Sequence, residues 1–283
     1  MGQVKEGVCM QELTPIVSIQ QNALGLYTGV IQTKDGNILI DSPYRTDDRR
    51  TWVNLPTKSD AIFLVLLDTQ YDRTLSAKGC DCILVSQSDY LLPAKPRQQA
   101  VKLQEELLGA GDGHEQVSSS SRPYAPEISF DQNMNLFFGG AEVLLEHHPG
   151  SNVAGIWAIL PQEKVIFVGD SVMVNQPPFL AYSDLAAWVA DMKLLASRAF
   201  KGYQIVSSRA GLVTQDQVRA MGKLMTFIQT SIASLQEKHA DLEAYLELIP
   251  RILKRIEYSP DESELFFNRL RWGLTTYYEL NQA

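Results

Sequence analysis

Histidine and cysteine are scarce in this chain of 283 residues, which has four histidines and three cysteines. Zinc, iron and copper sites are built mainly from these two residue types, so little material is present for such a site. Three cysteines do not form a disulfide framework. We interpret Cys80 and Cys82 as small residues that open a strand, in preference to a metal-binding or redox pair, and a reducing cytoplasm fits this composition.

A long apolar run and an excess of basic residues are also missing. No run approaches the ~20 apolar residues of a membrane-spanning helix, and the N-terminus lacks the apolar core of a signal peptide. The formal net charge is −8, which provides no basic surface for nucleic acid. We therefore expect a soluble, cytoplasmic protein with neither a membrane nor a nucleic acid as partner.

Short β-strands separated by turns are predicted over the first two thirds of the chain. Residues 26–32 and 37–40 form a hairpin across Lys34-Asp35-Gly36, and the unbroken apolar run 61–67 is typical of a strand buried on both faces. After Ser183 the apolar spacing becomes helical. This order predicts two packed sheets with helices outside them. Helices are expected at 97–108, 215–238, 240–256 and 261–280, with Pro250 bending or breaking the third of these.

A dense polar segment follows the apolar strand. The stretch LLDTQYDRTLSA, residues 66–77, places Asp68, Gln70, Asp72 and Arg73 within six positions. Polar side chains clustered at a strand end are typical of a metal site, yet this segment contains no histidine and no cysteine. The segment therefore lies where a metal site would be expected, but it lacks the usual metal ligands.

Several motifs occur in the order found in one known family. They are the hairpin and aspartate of DGNILIDSPYRTDDRRTW, the polar segment 66–77, the run HHPGSNVAGIWAILPQEKVIFVGDSVM with its Gly169-Asp170 pair, and the late segment YQIVSSRAGLVT. Over about residues 15–211 the chain resembles the metallo-β-lactamase family. The resemblance implies an α+β fold, a four-layer αββα sandwich, for residues 1–212, with residues 213–283 as a helical C-terminal extension packed on it.

The family's metal ligands are five histidines and two aspartates, and the resemblance places them on specific positions of this chain. No histidine remains at these positions, whereas both aspartates do. His147 and His148 do not replace the missing ligand at Ser151 without a shift of register. The seven positions of this degenerate site are Asp68, Gln70, Asp72, Arg73, Ser151, Asp170 and Arg209.

Two arginines among these positions suggest how the aspartates are neutralised. Arginine is always protonated and can bind a carboxylate with two donors. We expect Asp72–Arg73 and Asp170–Arg209 ion pairs in place of a dinuclear metal centre. The alternative is that these residues are charged loop residues without mutual contact.

Three functions remain open, and we favour the first, a metal-free binding or scaffold protein that does not hydrolyse β-lactams. In this first case the C-terminal helices form a surface for an oligomer or a partner. The alternative for these helices is that their apolar stripe packs on their own domain. The second is an atypical hydrolase with one Mn²⁺ or Mg²⁺ held by Asp68, Asp72 and Asp170. The third is a metal-free pocket in which Arg73 and Arg209 bind an anionic small molecule. No catalytic residue is assigned, and no cofactor is expected in the first and third cases. The stripe consists of Leu242, Tyr245, Leu246, Ile249, Leu253 and Ile256.

Overall fold

Two β-sheets pack face to face in the computed structural model, which describes residues 10–22, 25–42, 61–70, 81–90 and 125–282. The first sheet has seven strands in sequential order. Strands β1 to β4 are antiparallel neighbours, whereas β4, β5, β6 and β7 run parallel. The strands are β1 (Met10–Glu12), β2 (Val17–Gln21), β3 (Tyr27–Thr33), β4 (Gly36–Ile40), β5 (Ala61–Val65), β6 (Ile83–Gln87) and β7 (Ile128–Phe130).

The second sheet has six strands in the order β13-β12-β11-β10-β9-β8. All its neighbours are antiparallel except β11 and β12, which are parallel. Because parallel strands end at the same edge, the loops after β11 and β12 lie side by side. The strands are β8 (Asn133–Phe138), β9 (Ala141–His147), β10 (Ile156–Leu160), β11 (Val165–Phe167), β12 (Gln204–Ser207) and β13 (Gly211–Val213).

Five α-helices complete the described part of the chain, and they pack against the second sheet through a core that contains Trp157 and Trp188. The predicted helix over 240–256 is divided into two, and Pro250 lies in the first turn of the second, where its missing N–H is tolerated. This confirms the predicted break. The helices are α1 (Leu185–Leu195), α2 (Gln215–Glu237), α3 (Leu242–Leu246), α4 (Leu248–Leu253) and α5 (Ser263–Gln282).

The apolar stripe of the C-terminal helices packs on its own chain. Tyr245, Ile249 and Leu253 are buried in the core shared with the second sheet, and Leu246 and Ile256 pack at its margin. Of the two alternatives for this stripe, the structure therefore shows the internal one. The division between residues 212 and 213 stays a prediction, as does association through these helices.

Cys82 directly precedes β6, as expected, but it is disulfide-bonded. No disulfide was predicted at Cys82, which was interpreted only as a small residue that opens the strand. Cys9 and Cys80 lie outside the described residues, as do the predicted helix over 97–108, Asp72 and Arg73. Among the helices that the structure describes, none combines the length and apolar composition needed to cross a membrane.

Candidate functional site

Asp41 joins three loops at one edge of the two sheets. It follows β4 with a φ of 58°, in the left-handed region that residues other than glycine rarely adopt. Its Oδ1 accepts a hydrogen bond from the Leu67 N–H (2.9 Å), and its Oδ2 accepts one from the Ser208 hydroxyl (3.0 Å). These bonds hold the loops after β4, β5 and β12 together and offset the cost of the backbone conformation.

Arg209 and Asp170 form a buried ion pair beside these loops. The Arg209 Nε–H donates to Asp170 Oδ2 over 2.9 Å, with side chains that are 5% and 2% exposed. Gly169, with a φ of 57°, supplies the left-handed turn between β11 and Asp170. The contact expected between Asp170 and Arg209 is therefore present, and the guanidinium lies on the Asp170 carboxylate.

Asp68 lies next to the turn that carries Asp170. Its Oδ1 accepts the Gln70 N–H over 2.8 Å, and its Oδ2 would lie 3.4 Å from a Cβ placed on Gly169. Asp68 and Gln70 are both buried. The structure thus brings Asp68 to the turn that carries Asp170, whereas the expected Asp72–Arg73 pair lies outside the described residues and stays a prediction.

The loop that carries Ser151 is tied to the loop after β5. Asn152 Nδ2–H donates to Thr69 Oγ1 over 2.9 Å, and Asn152 Oδ1 accepts the Ala154 N–H over 3.1 Å. Ser151 is buried beside this bridge. Sequence reasoning missed both Thr69 and Asn152, although each is adjacent to a predicted site position.

His147 and His148 have structural partners away from the site. A ring nitrogen of His147 lies 2.9 Å from the Val153 carbonyl oxygen. His148 Nδ1 lies 2.7 Å from Asp191 Oδ1 on α1, and the ring stacks on Trp157 with centroids 3.7 Å apart. Both histidines hold β9 and its loop in place, which agrees with the expectation that neither substitutes at Ser151.

Helix α5 adds a second arginine that sequence reasoning missed. The Arg209 and Arg269 guanidinium carbons lie 4.6 and 4.4 Å from the Phe179 ring centroid. Arg269 Nη1–H also donates to Gln176 Oε1 over 3.0 Å, and Arg269 is 4% exposed. The sequence feature that could have identified Arg269 is its position three residues after the buried Phe266, on the apolar side of the helix.

The described residues do not fit a dinuclear zinc centre. No group of three or more histidine, cysteine, aspartate or glutamate side chains among them is arranged to hold a metal ion. The Asp170 carboxylate already binds a guanidinium, and Asp68 and Asp41 accept backbone or hydroxyl hydrogens. Zinc sites of this kind depend on imidazole nitrogens, which these positions lack.

No family model matches the chain, and no curated protein matches it. Solved structures do. The stereoselective inverting sec-alkylsulfatase Pisa1 from Pseudomonas sp. superposes with a TM-score of 0.70 at 13% identity, over 96% of this chain and 50% of that one. A metallo-beta-lactamase family protein from Thermus thermophilus has a TM-score of 0.64 at 15% identity, over 96% of both chains.

A metallo-beta-lactamase from Pontibacter korlensis superposes with a TM-score of 0.60 at 16% identity, over 78% of this chain and 99% of that one. This chain spans half the length of the sulfatase. The two matches over 96% of the chain include most of its C-terminal helices. At such low identity the likeness establishes the architecture alone: the chain has the α+β metallo-β-lactamase fold, followed by C-terminal helices.

Proposed function

We propose that this protein is a metal-independent binding protein built on the metallo-β-lactamase fold, and that it is not a dinuclear zinc hydrolase. The observation that carries the proposal is the buried ion pair of Arg209 and Asp170, with 2.9 Å between Nε and Oδ2. The pair neutralises, with a side chain, a carboxylate that would otherwise be a metal ligand.

Electrostatics supports this assignment. A divalent cation about 4 Å from the guanidinium would be repelled by roughly 8 kcal/mol at an effective dielectric constant of about 20. Displacing the guanidinium would instead leave a buried charge without its partner, which costs about 3–5 kcal/mol. Either route weakens metal binding at Asp170 by several orders of magnitude.

The ligand class we propose is an organic anion with an apolar portion. Guanidinium groups bind carboxylate, phosphate and sulfate groups through paired donors, and Arg209 and Arg269 both lie against the Phe179 ring. Arg73 would add a third cation. The structural likeness to a protein described as an alkylsulfatase makes an alkyl sulfate the first probe, as a bound ligand.

One hard cation held by Asp68, Asp72 and Asp170, with weak hydrolysis, is the second candidate. It is favoured by the closeness of Asp68 to the turn that carries Asp170, because Asp68 Oδ2 would lie 3.4 Å from a Cβ on Gly169. Carboxylate oxygens suit Mn²⁺ and Mg²⁺. In this case metal binding would require Arg209 to leave Asp170.

Metal analysis and calorimetry separate the two candidates. Protein purified without a histidine tag is dialysed against Zn²⁺ or Mn²⁺, measured for bound metal, and titrated with decyl sulfate. We expect less than about 0.1 metal ion per chain, because the opposing cost is several kcal/mol, together with saturable decyl sulfate binding. Stoichiometric Mn²⁺ that survives dialysis would favour the hydrolase.

Variants at position 209 sharpen this experiment. Arg209→His removes the permanent cation and adds a nitrogen ligand, so we expect metal affinity to rise at least about tenfold and decyl sulfate affinity to fall. Arg198→His, at an exposed position, is the matched control and should change neither. Unchanged metal binding in Arg209→His would contradict the role of the ion pair.

A further inference from the structure

Strand β8 forms an edge of the second sheet. Among the described strands it pairs only with β9, in a register that places Asn133 opposite Glu146 and Phe138 opposite Ala141. The side chains on one face of this strand, Asn133, Asn135 and Phe137, are exposed to solvent, and Phe137 is 68% exposed. Phe137 is therefore an exposed apolar side chain on an edge strand.

The backbone groups of β8 point alternately toward β9 and away from it. The His147 N–H donates to the Gln132 carbonyl over 2.8 Å, so residues 132, 134, 136 and 138 face β9, since antiparallel strands alternate with a period of two. The N–H and C=O groups of Asn133, Asn135 and Phe137 therefore face outward. Within the described part of the chain, no hydrogen bond reaches these outward groups.

The usual protections of an edge strand are missing from β8. Natural edge strands are kept from pairing by charged side chains, proline, bulges or short length. The sequence of β8, NMNLFF, contains no charge and no proline, and its pairing with β9 has no bulge. The other edge strands in the described residues, β1, β7 and β13, have three residues each.

We infer that β8 pairs with β8 of a second copy of this chain, antiparallel and about a twofold axis at Asn135. This goes beyond the proposed binding function and uses a different surface. The pairing places Asn135 opposite Asn135 of the other copy and Asn133 opposite Phe137. Each copy would then satisfy its three outward N–H and three outward C=O groups.

Two copies of the chain, each with a net charge of −8, repel each other at long range, but β8 itself carries no charge, so a second β8 is an occupant that brings no charge to the contact. Self-pairing brings no like charges directly opposite one another in β8. It also places Met134 opposite Leu136 of the other copy, which extends the apolar layer between the sheets. One strand contact is smaller than the ~800 Å² per partner of a standard interface, so the dimer should be weak and should strengthen with added salt.

Sedimentation from about 1 µM to about 500 µM, a range that covers weak association, tests the inference. We expect a mass that rises from 31.6 kDa toward twice that value, with hydrogen exchange at the Asn133, Asn135 and Phe137 amides slowing at least about tenfold over the same range. A monomer throughout this range would overturn the inference.

Charge variants identify the surface. Asn135→Lys places two cations opposite each other and should abolish the dimer, as should Asn135→Glu, whereas a mixture of the two variants should associate again. Ala220→Lys, at an exposed position on α2, is the matched control and should dimerise like the wild type. Position 135 is exposed, so the variants should keep the wild-type circular dichroism. A dimer that persists in Asn135→Lys would place the contact elsewhere and refute the pairing.

Discussion

Replacing Arg209 with methionine should destabilise the protein strongly, because the substitution removes the cation and leaves Asp170 buried. The two side chains are 5% and 2% exposed, and Nε lies 2.9 Å from Oδ2. Removal of one partner of a buried pair costs about 3–5 kcal/mol. The unfolding entropy is roughly 2 cal/mol/K per residue, and dividing the cost by this entropy for the whole chain gives a fall in Tm of about 5–9 °C.

Urea denaturation followed by circular dichroism measures the free energy of unfolding for the wild type, Arg209→Met, Asp170→Asn and the double variant. The double variant removes both charges, so it should be more stable than the sum of the single losses predicts, by about 2 kcal/mol or more. Arg219→Met is the matched control. Its pair with Asp216 is close, at 2.6 Å, but exposed, and it should cost less than about 1 kcal/mol.

The result that would refute this reasoning is a loss below about 1 kcal/mol in Arg209→Met, the range of an exposed pair. Additive losses in the double variant would count against it as well. Either outcome would mean that the guanidinium does not neutralise Asp170, and the argument against metal binding would fail with it.

Four further predictions test other parts of the structure. Asp41→Ala removes the acceptor of the Leu67 N–H and the Ser208 hydroxyl and should cost about 2–4 kcal/mol in urea denaturation. Gly150→Ala puts a Cβ 2.5 Å from the α1 backbone and should lower stability by about 1–3 kcal/mol. Thiol titration in denaturant should find one free thiol per chain before reduction and three after, since Cys82 is disulfide-bonded. Burial and the nearby Asp184 and Tyr245 raise the pKa of Tyr277. This side chain therefore loses its proton at a lower pH in the unfolded chain than in the folded one, so the free energy of unfolding should fall as pH rises above about 10. In the Tyr277→Phe variant the free energy of unfolding should fall less over the same pH range.

The alternation of strands, turns and helices could be predicted from sequence because it follows from local spacing. Apolar runs mark β4 and β5, and the Gly169-Asp170 pair marks the turn after β11. The contact between Asp170 and Arg209 was anticipated from the resemblance to the metallo-β-lactamase family, which implies that the two positions lie in one site. The break near Pro250 follows from its missing N–H.

The remaining contacts join residues far apart in the chain. His148 with Asp191 and Arg269 with Gln176 are 43 and 93 positions apart, and no local pattern relates them. The outward side of β8 depends on its register with β9, and a shift by one residue would reverse it. The sequence by itself determined the types of element and the loss of the histidine ligands. Only the tertiary structure decided that His148 meets Asp191 and Arg269 meets Gln176, and which strand edge stays open, because these features depend on packing between distant segments.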